Sequence, residues 1–199
     1  MTATQNPNRQ DHRLAFFRGF LNRPKEVGSI IPSSRFMEKR IVKTADFQHA
    51  KVVVELGPGT GGTTKAFLKH MRPDAKLLAI ELNPDFVELL QKTIHDPRLI
   101  VHQGSATDIP KALTEYDLGK PEVILSGIPF STMERQLGLD ILRSAHESLA
   151  PNGRFVAYQF RDRVERLGRH VFGRAHVQTE LLNVPPMRVY RWYKDPLPA

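Results

Sequence analysis

Four clusters in this chain have residue types and spacing that could do chemistry. The first is Glu55-x-Gly57-x-Gly59-x-Gly61, directly after the β-branched run Val52-Val53-Val54. A buried strand that runs into glycines at alternate positions can take positive φ and bring its backbone close to a ligand. The second is Glu81, placed after Gly61 at the interval where nucleoside-binding α/β folds set an acid on the ribose hydroxyls. The third is the polar turn Gly104-Ser105-Ala106-Thr107-Asp108, and the fourth is Ser126-Gly127-Ile128-Pro129-Phe130. Together they predict a nucleoside-like cofactor at the carboxyl edge of a sheet. The glycine spacing differs from the dinucleotide pattern G-x-G-x-x-G, and the Lys and Ser/Thr of a phosphate-binding P-loop are missing.

Such clusters need strands and helices to hold them. Residues 63–71 carry Ala66, Phe67 and Met71 near helical spacing, so a helix follows the first strand. Residues 76–82 read as a second buried strand ending in Glu81, after which Asn83 caps and Pro84 opens a helix to about residue 95. Residues 99–102, 122–125 and 154–160 supply three more strands, and residues 175–182 and 187–194 form a closing hairpin. Ser131 and Glu134 make a capping box for a helix through about residue 149. Asp108 either contacts the cofactor or caps the helix that begins Ile109-Pro110. Arg161, Arg163, Arg166, Arg169 and Arg174 oppose only Asp162 and Glu165, which gives either a solvated helix face or a phosphate site. Ser34 can cap a helix over residues 35–44 with Phe36, Met37, Ile41 and Val42 on its apolar side.

At 199 residues the chain fits one domain and buries about 70 % of its unfolded surface. It has no cysteine, so neither disulfides nor a cysteine-based zinc site hold it together. No apolar run reaches about 18 residues, and no signal-peptide pattern opens the sequence. A formal charge of +8 and a pI near 9.9 point to an anionic partner, nucleic acid or an acidic membrane surface. Residues 11–22 sharpen that choice. Leu14, Phe16, Phe17, Phe20 and Leu21 share one side of a helix, with Arg13 at the margin and Arg18 opposite. The apolar side suits the headgroup boundary of an anionic membrane or the protein's own core, and the density of Phe with Arg favours the membrane. The loop after it, Gly28-Ser29-Ile30-Ile31-Pro32-Ser33-Ser34, either folds over the cofactor as a lid or is a plain connector, which would have much the same composition.

On residues 55–61, Glu81, residues 104–106, residues 126–130 and residues 27–34, the chain resembles the class I methyltransferases that use S-adenosylmethionine. More narrowly it is similar to bacterial phospholipid N-methyltransferases related to rRNA adenine dimethyltransferases. The resemblance implies a Rossmann-like fold, with a seven-stranded, mostly parallel sheet, helices on both faces and a C-terminal antiparallel hairpin. It divides the chain into an N-terminal tail, amphipathic helix and lid loop over residues 1–34, and a catalytic domain over residues 35–199. Cofactor contacts are then expected from Glu55, Gly57, Gly59, Gly61, Glu81, Leu82, Ser105, Ala106 and Ser126, with Glu55 balancing the amino-acid end mostly through water or backbone. Gly127, Ile128, Phe130 and Tyr158 are expected at the reacting amine: backbone carbonyls from the first two, a pocket wall from Phe130, and a hydroxyl from Tyr158. Arg13, Phe16, Phe17, Arg18, Phe20, Leu21, Ile31 and Ser33 are expected to meet the lipid.

The implied reaction is stepwise methylation of phosphatidylethanolamine to phosphatidylcholine, with S-adenosylhomocysteine as the other product. It would take place at the cytoplasmic face of the inner membrane, without a metal, a nucleic acid or an obligate protein partner. Two departures bear on the substrate. Adenine dimethyltransferases usually carry Asn-Leu-Pro-Tyr after strand four and Gly-Asp-Ala after strand three, whereas this chain has Gly127-Ile128-Pro129-Phe130 and Gly104-Ser105-Ala106. A flipped adenine would lose its usual hydrogen-bond acceptor, and a chain ending at Ala199 is not expected to hold the extra helical domain of those RNA enzymes. The rival readings are an RNA or small-molecule methyltransferase with the same cofactor, and a non-catalytic membrane-binding protein.

Overall fold

The computed structural model describes residues 35–182 and 186–194. The expected amphipathic helix and lid loop, with Arg13, Phe16, Phe17, Arg18, Phe20, Leu21, Ile31 and Ser33, lie outside the described residues. Seven strands form one sheet in the order β3-β2-β1-β4-β5-β7-β6. They are β1 (Val52–Leu56), β2 (Lys76–Glu81), β3 (Leu99–Gln103), β4 (Val123–Ser126), β5 (Arg154–Gln159), β6 (His176–Glu180) and β7 (Met187–Tyr193). The first five run parallel, and β7 lies antiparallel between β5 and β6. This is the expected Rossmann-like sheet with a closing antiparallel hairpin.

Strands buried on both faces need apolar residues pointing both ways, and the runs in β1, β2 and β4 provide them. Val53, Leu77, Val123 and Leu125 face one layer with α1 (Arg35–Ala45) and α2 (Gly62–His70), where Met37, Ile41, Phe67 and Leu68 are buried. Val54, Leu56, Leu78, Ile80 and Ile124 face the other layer. There they meet α4 (Ile109–Glu115), α5 (Arg135–Ser148) and α6 (Arg163–Gly168) through Ile109, Leu142 and Leu167. Full burial of each such side chain contributes roughly 1.5–3 kcal/mol. Helix α3 (Pro84–Thr93) starts as the sequence implies, with the Asn83 side chain accepting from Asp85 N at 2.9 Å and Pro84 in the first turn.

Two local expectations fail, and a third stretch is only partly helical. Helix α5 begins at Arg135, and neither Ser131 nor Glu134 makes a capping bond. The cause is upstream: Phe130 N is held by the Gln159 side chain and Thr132 N donates to Pro129 O, so the chain through residue 133 is committed to a loop. Phe36, placed on the apolar side of α1, is 46 % exposed. The arginine-rich stretch is helical only over Arg163–Gly168, where Glu165 pairs with Arg169 and Asp162 with Arg166.

Candidate active site

Parallel strands aim their carboxyl ends the same way, so the turns after β1, β2, β3 and β4 converge on one edge. Gly57 and Gly59 take φ of +70° and +56°, a region that side chains with a Cβ rarely adopt. A Cβ on Gly57 would meet the Ile128 side chain at 2.9 Å, whereas one on Gly59 would meet nothing within 4 Å. The turn is thus wedged against the β4 loop at one glycine and open at the next. That open backbone is where a ligand can approach.

Glu55 is fully buried. Its two oxygens accept from Thr63 Oγ1 at 2.6 Å and Thr64 Oγ1 at 2.7 Å, both in the first turn of α2. Burial pushes its carboxyl up to about 7, against the two threonine hydroxyls, which favour the charged form, while nearby Glu81 adds to the rise. Glu55 therefore fastens the start of α2 to β1, with both oxygens turned to the two threonines. Tyr158 on β5 extends the chain of hydroxyls, donating to Thr63 Oγ1 at 3.5 Å. Burial first, and then the Glu55 charge, raise the Tyr158 phenol above its ordinary value, so it is a neutral donor at any working pH.

Glu81 ends β2 and is 1 % exposed. Its carboxylate accepts from Gly59 N at 3.1 Å and Asn83 N at 2.9 Å. Each oxygen keeps acceptor capacity, enough for a pair of vicinal hydroxyls. Burial raises its pKa, opposed by the backbone amides of Asn83, Gly59 and Leu82. After β3, Ser105 Oγ and Thr107 Oγ1 lie 2.8 Å apart, and Asp108 accepts from Ser105 N and Thr107 Oγ1 at 3.3 and 3.2 Å. Asp108 occupies the cap position of α4 without a capping bond, so it ties this turn instead. Ser144 on α5 anchors the turn from behind through Thr107 O at 3.0 Å. Ala106 is buried in the core, which leaves only its backbone for an adenine ring.

The β4 loop is held by a residue the sequence reading overlooked. Gln159 donates from Nε2 to Ile128 O at 2.7 Å and accepts from Phe130 N at 3.3 Å, clamping residues 128–130 at both ends. The Ile128 carbonyl, expected to take a proton from the amine, already has this donor, and only its second lone pair is free. Buried Ser126 accepts from Ile128 N at 3.3 Å, so it shapes the loop. Gly127 lies under Tyr158: a Cβ there would come 2.7 Å from the hydroxyl and 3.3 Å from Gly57 O. Phe130 is fully buried, and its ring extends toward Gly138 of α5 near Met133. It packs under the loop with the core, a different place from an open aromatic wall.

The structure therefore gathers Glu55, Thr63, Gly57, Gly127 and Tyr158 into one cluster, and Gly59, Glu81 and Leu82 into the next. Thr63, Thr64 and Gln159 were missed. The threonine pair directly after Gly62 and a glutamine among the apolar residues of β5 were the available signals. Among the described residues no cluster of His, Cys, Asp or Glu could hold a metal ion.

Comparison with known proteins gives this geometry a context. The model of the family described as ribosomal RNA adenine dimethylase matches residues 22–138. An ornithine lipid N-methyltransferase of Singulisphaera acidiphila is 29 % identical over 177 residues, 88 % of this chain and 92 % of that protein. A ribosomal RNA small subunit methyltransferase A of Parasynechococcus marenigrum is 38 % identical over 77 residues, 38 % of this chain but only 25 % of its own length. Among solved structures, the N-methyltransferase NodS of Bradyrhizobium japonicum with S-adenosyl-L-homocysteine superposes with a TM-score of 0.63. It is 13 % identical, with 82 % of this chain and 89 % of that one covered.

Proposed function

The chain belongs to the ribosomal RNA adenine dimethylase family, and on that premise we propose that its substrate is the amine of a membrane lipid. It is an S-adenosylmethionine-dependent methyltransferase. In our reading it methylates phosphatidylethanolamine, and then the mono- and dimethyl forms, to phosphatidylcholine, working peripherally on the cytoplasmic face of an anionic inner membrane. The observation that carries the reading is Gly127. Where the family's RNA enzymes usually have Asn, this residue has no side chain, and the Tyr158 hydroxyl fills the space that a Cβ would need. A planar nucleobase would find no side-chain amide there to pair with its edge. A lipid amine needs only a hydroxyl or carbonyl acceptor and a dry pocket. The lipid-modifying relative, matched along most of both chains, supports the same class of substrate.

The residues fit the cofactor. Glu81 keeps two acceptors for ribose hydroxyls, the open Gly59 backbone admits the amino-acid end, and the Ser105 turn offers amides to the adenine. When bound, S-adenosylmethionine supplies an electrophilic methyl group on sulfur. The chain's part is to orient and to dehydrate. The Gly127 loop, clamped by Gln159, fixes the approach line, and such alignment removes much of the entropic cost of a bimolecular step. A lipid ammonium must shed a proton before it can attack; desolvation at this edge lowers its pKa so that the proton passes to the departing water. The second lone pair of Ile128 O or the Tyr158 oxygen can accept a hydrogen bond from an N–H that remains in the unmethylated and monomethyl forms.

The second reading, methylation of an rRNA adenine, is favoured by the matched family itself. One assay separates them: purified protein with methyl-labelled cofactor, offered vesicles of phosphatidylglycerol with phosphatidylethanolamine, the same vesicles with ornithine lipid, and bare 16S rRNA. Label in phosphatidylethanolamine is the expected result. Label only in ornithine lipid moves the substrate within the lipid amines, and label only in RNA overturns the proposal. Vesicle binding without transfer in any arm would favour a non-catalytic role. The Phe16→Asp/Phe20→Asp variant is expected to lose vesicle binding.

A further inference from the structure

Four of the large apolar side chains that stay exposed belong to elements meeting at one corner. They are Phe36 (46 % exposed), Phe160 (48 %), Leu181 (73 %) and Leu182 (64 %). Phe160 follows the last residue of β5, and Leu181 and Leu182 follow the last residue of β6. In the ladders Gln159 lies opposite Arg188 and Glu180 opposite Met187, so the ends of β5 and β6 flank the start of β7. These ends lie two strand spacings apart, about 10 Å. Arg40 on α1 pairs with Glu180 at 2.7 Å while Thr44, one turn later, reaches Gln178 at 3.5 Å. Helix α1 thus descends from this corner, and Phe36, one turn before Arg40, is at its top.

The leucines are held out by design of the turn. Glu180 is 5 % exposed, and its carboxylate grips Arg40 with Oε2 and the backbone N–H of Leu182 with Oε1, at 3.0 Å. The corner is also basic. Arg35, Arg161 and Arg188 are exposed and have no acidic partner among the described residues, while Glu180 and Asp162 are already paired with Arg40 and Arg166. Two leucines and two phenylalanines interleaved with unpaired arginines match the boundary of an anionic bilayer, where apolar tips enter the acyl region and guanidinium groups meet phosphate. Continuity adds direction: Gln159, next to Phe160, is the residue that clamps the β4 loop.

We infer that Phe36, Phe160, Leu181 and Leu182 form a docking rim that seats the carboxyl edge of the folded domain on an anionic lipid surface. The rim stands beside the methyl-transfer crevice, so a headgroup reaches the β4 loop without the lipid leaving its leaflet. This deepens the lipid-amine reading, and it concerns the folded domain rather than the N-terminal segment.

The test is flotation of the full chain with vesicles of phosphatidylglycerol and phosphatidylethanolamine, and with neutral phosphatidylcholine vesicles. The Leu181→Asp/Leu182→Asp variant should lose at least tenfold in partition to the anionic vesicles while binding S-adenosylhomocysteine as wild type does. Arg161→Gln/Arg188→Gln, which leaves the leucines in place, should erase the preference for anionic over neutral vesicles. Partition unchanged in both variants overturns the rim. So does a smaller sedimentation coefficient in the leucine variant with unchanged partition, which would make the corner an interface between two copies. Wild type that partitions through these residues yet never labels lipid would sink the lipid-amine reading and leave the rim standing.

Discussion

The two halves of the carboxyl edge are built from opposite materials. Over β1 and β2 the polar groups are buried acids, Glu55 and Glu81, each with both oxygens engaged by hydroxyls or amides of the same few turns. Over β5, β6 and β7 the edge presents exposed Phe160, Leu181 and Leu182 among exposed arginines. The contrast fits the proposed division of roles, with the cofactor on one half and a lipid surface on the other. A small polar cofactor needs fixed acceptors in a dry site, where each unpaired group would be costly. A fluid lipid surface needs protruding apolar tips and mobile positive charge, and little geometric precision. Gly127, Tyr158 and Gln159 lie on the seam between them.

If that division holds, substitutions on one side should not move the readout of the other. The largest effect is expected at Glu81. Glu81→Ala removes the acceptors offered to the ribose and frees Gly59 N, and should weaken S-adenosylhomocysteine binding by two orders of magnitude in calorimetry, about 3 kcal/mol, with vesicle partition unchanged. Loss of partition in this variant would break the comparison.

Glu55 comes next, through pH. Its folded-state value of about 7 lies above the ordinary 4.5, so protonation favours the folded state. The stabilising share of this group is complete below pH 4.5 and is lost as pH rises through 7, to a total of about 3 kcal/mol in the cofactor-free protein. Urea denaturation should show that decline in wild type and lack it in Glu55→Gln. An equal slope in both would mean that another group carries the titration.

On the seam, Gln159→Leu leaves Phe130 N and Ile128 O without partners and should cost about 1–3 kcal/mol in stability. Its sharper signature is a fall in kcat larger than the change in cofactor affinity, because in the proposed mechanism the loop it clamps orients the amine. Gly127→Ala forces a contact with the Tyr158 hydroxyl. It should lower kcat several-fold, and Tyr158→Phe in the same chain should restore part of it by removing the obstructing oxygen. Absence of any rescue would place the Gly127 effect elsewhere.

What the sequence displayed was local. Runs of Val, Leu and Ile marked the strands, Asn83-Pro84 marked the start of α3, and the acid interval set Glu55 and Glu81 at the carboxyl ends of neighbouring strands. The failures share a physical origin in contacts far apart along the chain. Gln159 reaches back to residues 128–130 and holds them in a loop, a contact that the local Ser131–Glu134 pattern does not reveal. Phe130 seemed to belong in a pocket from its position in a loop, yet its ring fills the space over Gly138. Phe36 fits the apolar stripe of α1 by periodicity, but Met37 beside it takes the buried position of the first turn and Phe36 is left at the surface.

The placement of β7 between β5 and β6 has a consequence for how the chain comes into being. Strand β6 is made first, but its only ladder among the described residues is with β7. The later strand β7 is therefore the one that stitches β6 to the other described strands. Until Met187–Tyr193 emerges, strands β1 to β5 can already pair, while Leu181 and Leu182 have no sheet to carry them. The corner that carries Leu181 and Leu182 is thus completed only with β7, whereas the turns that hold Gly57 and Glu81 rest on strands that pair without it.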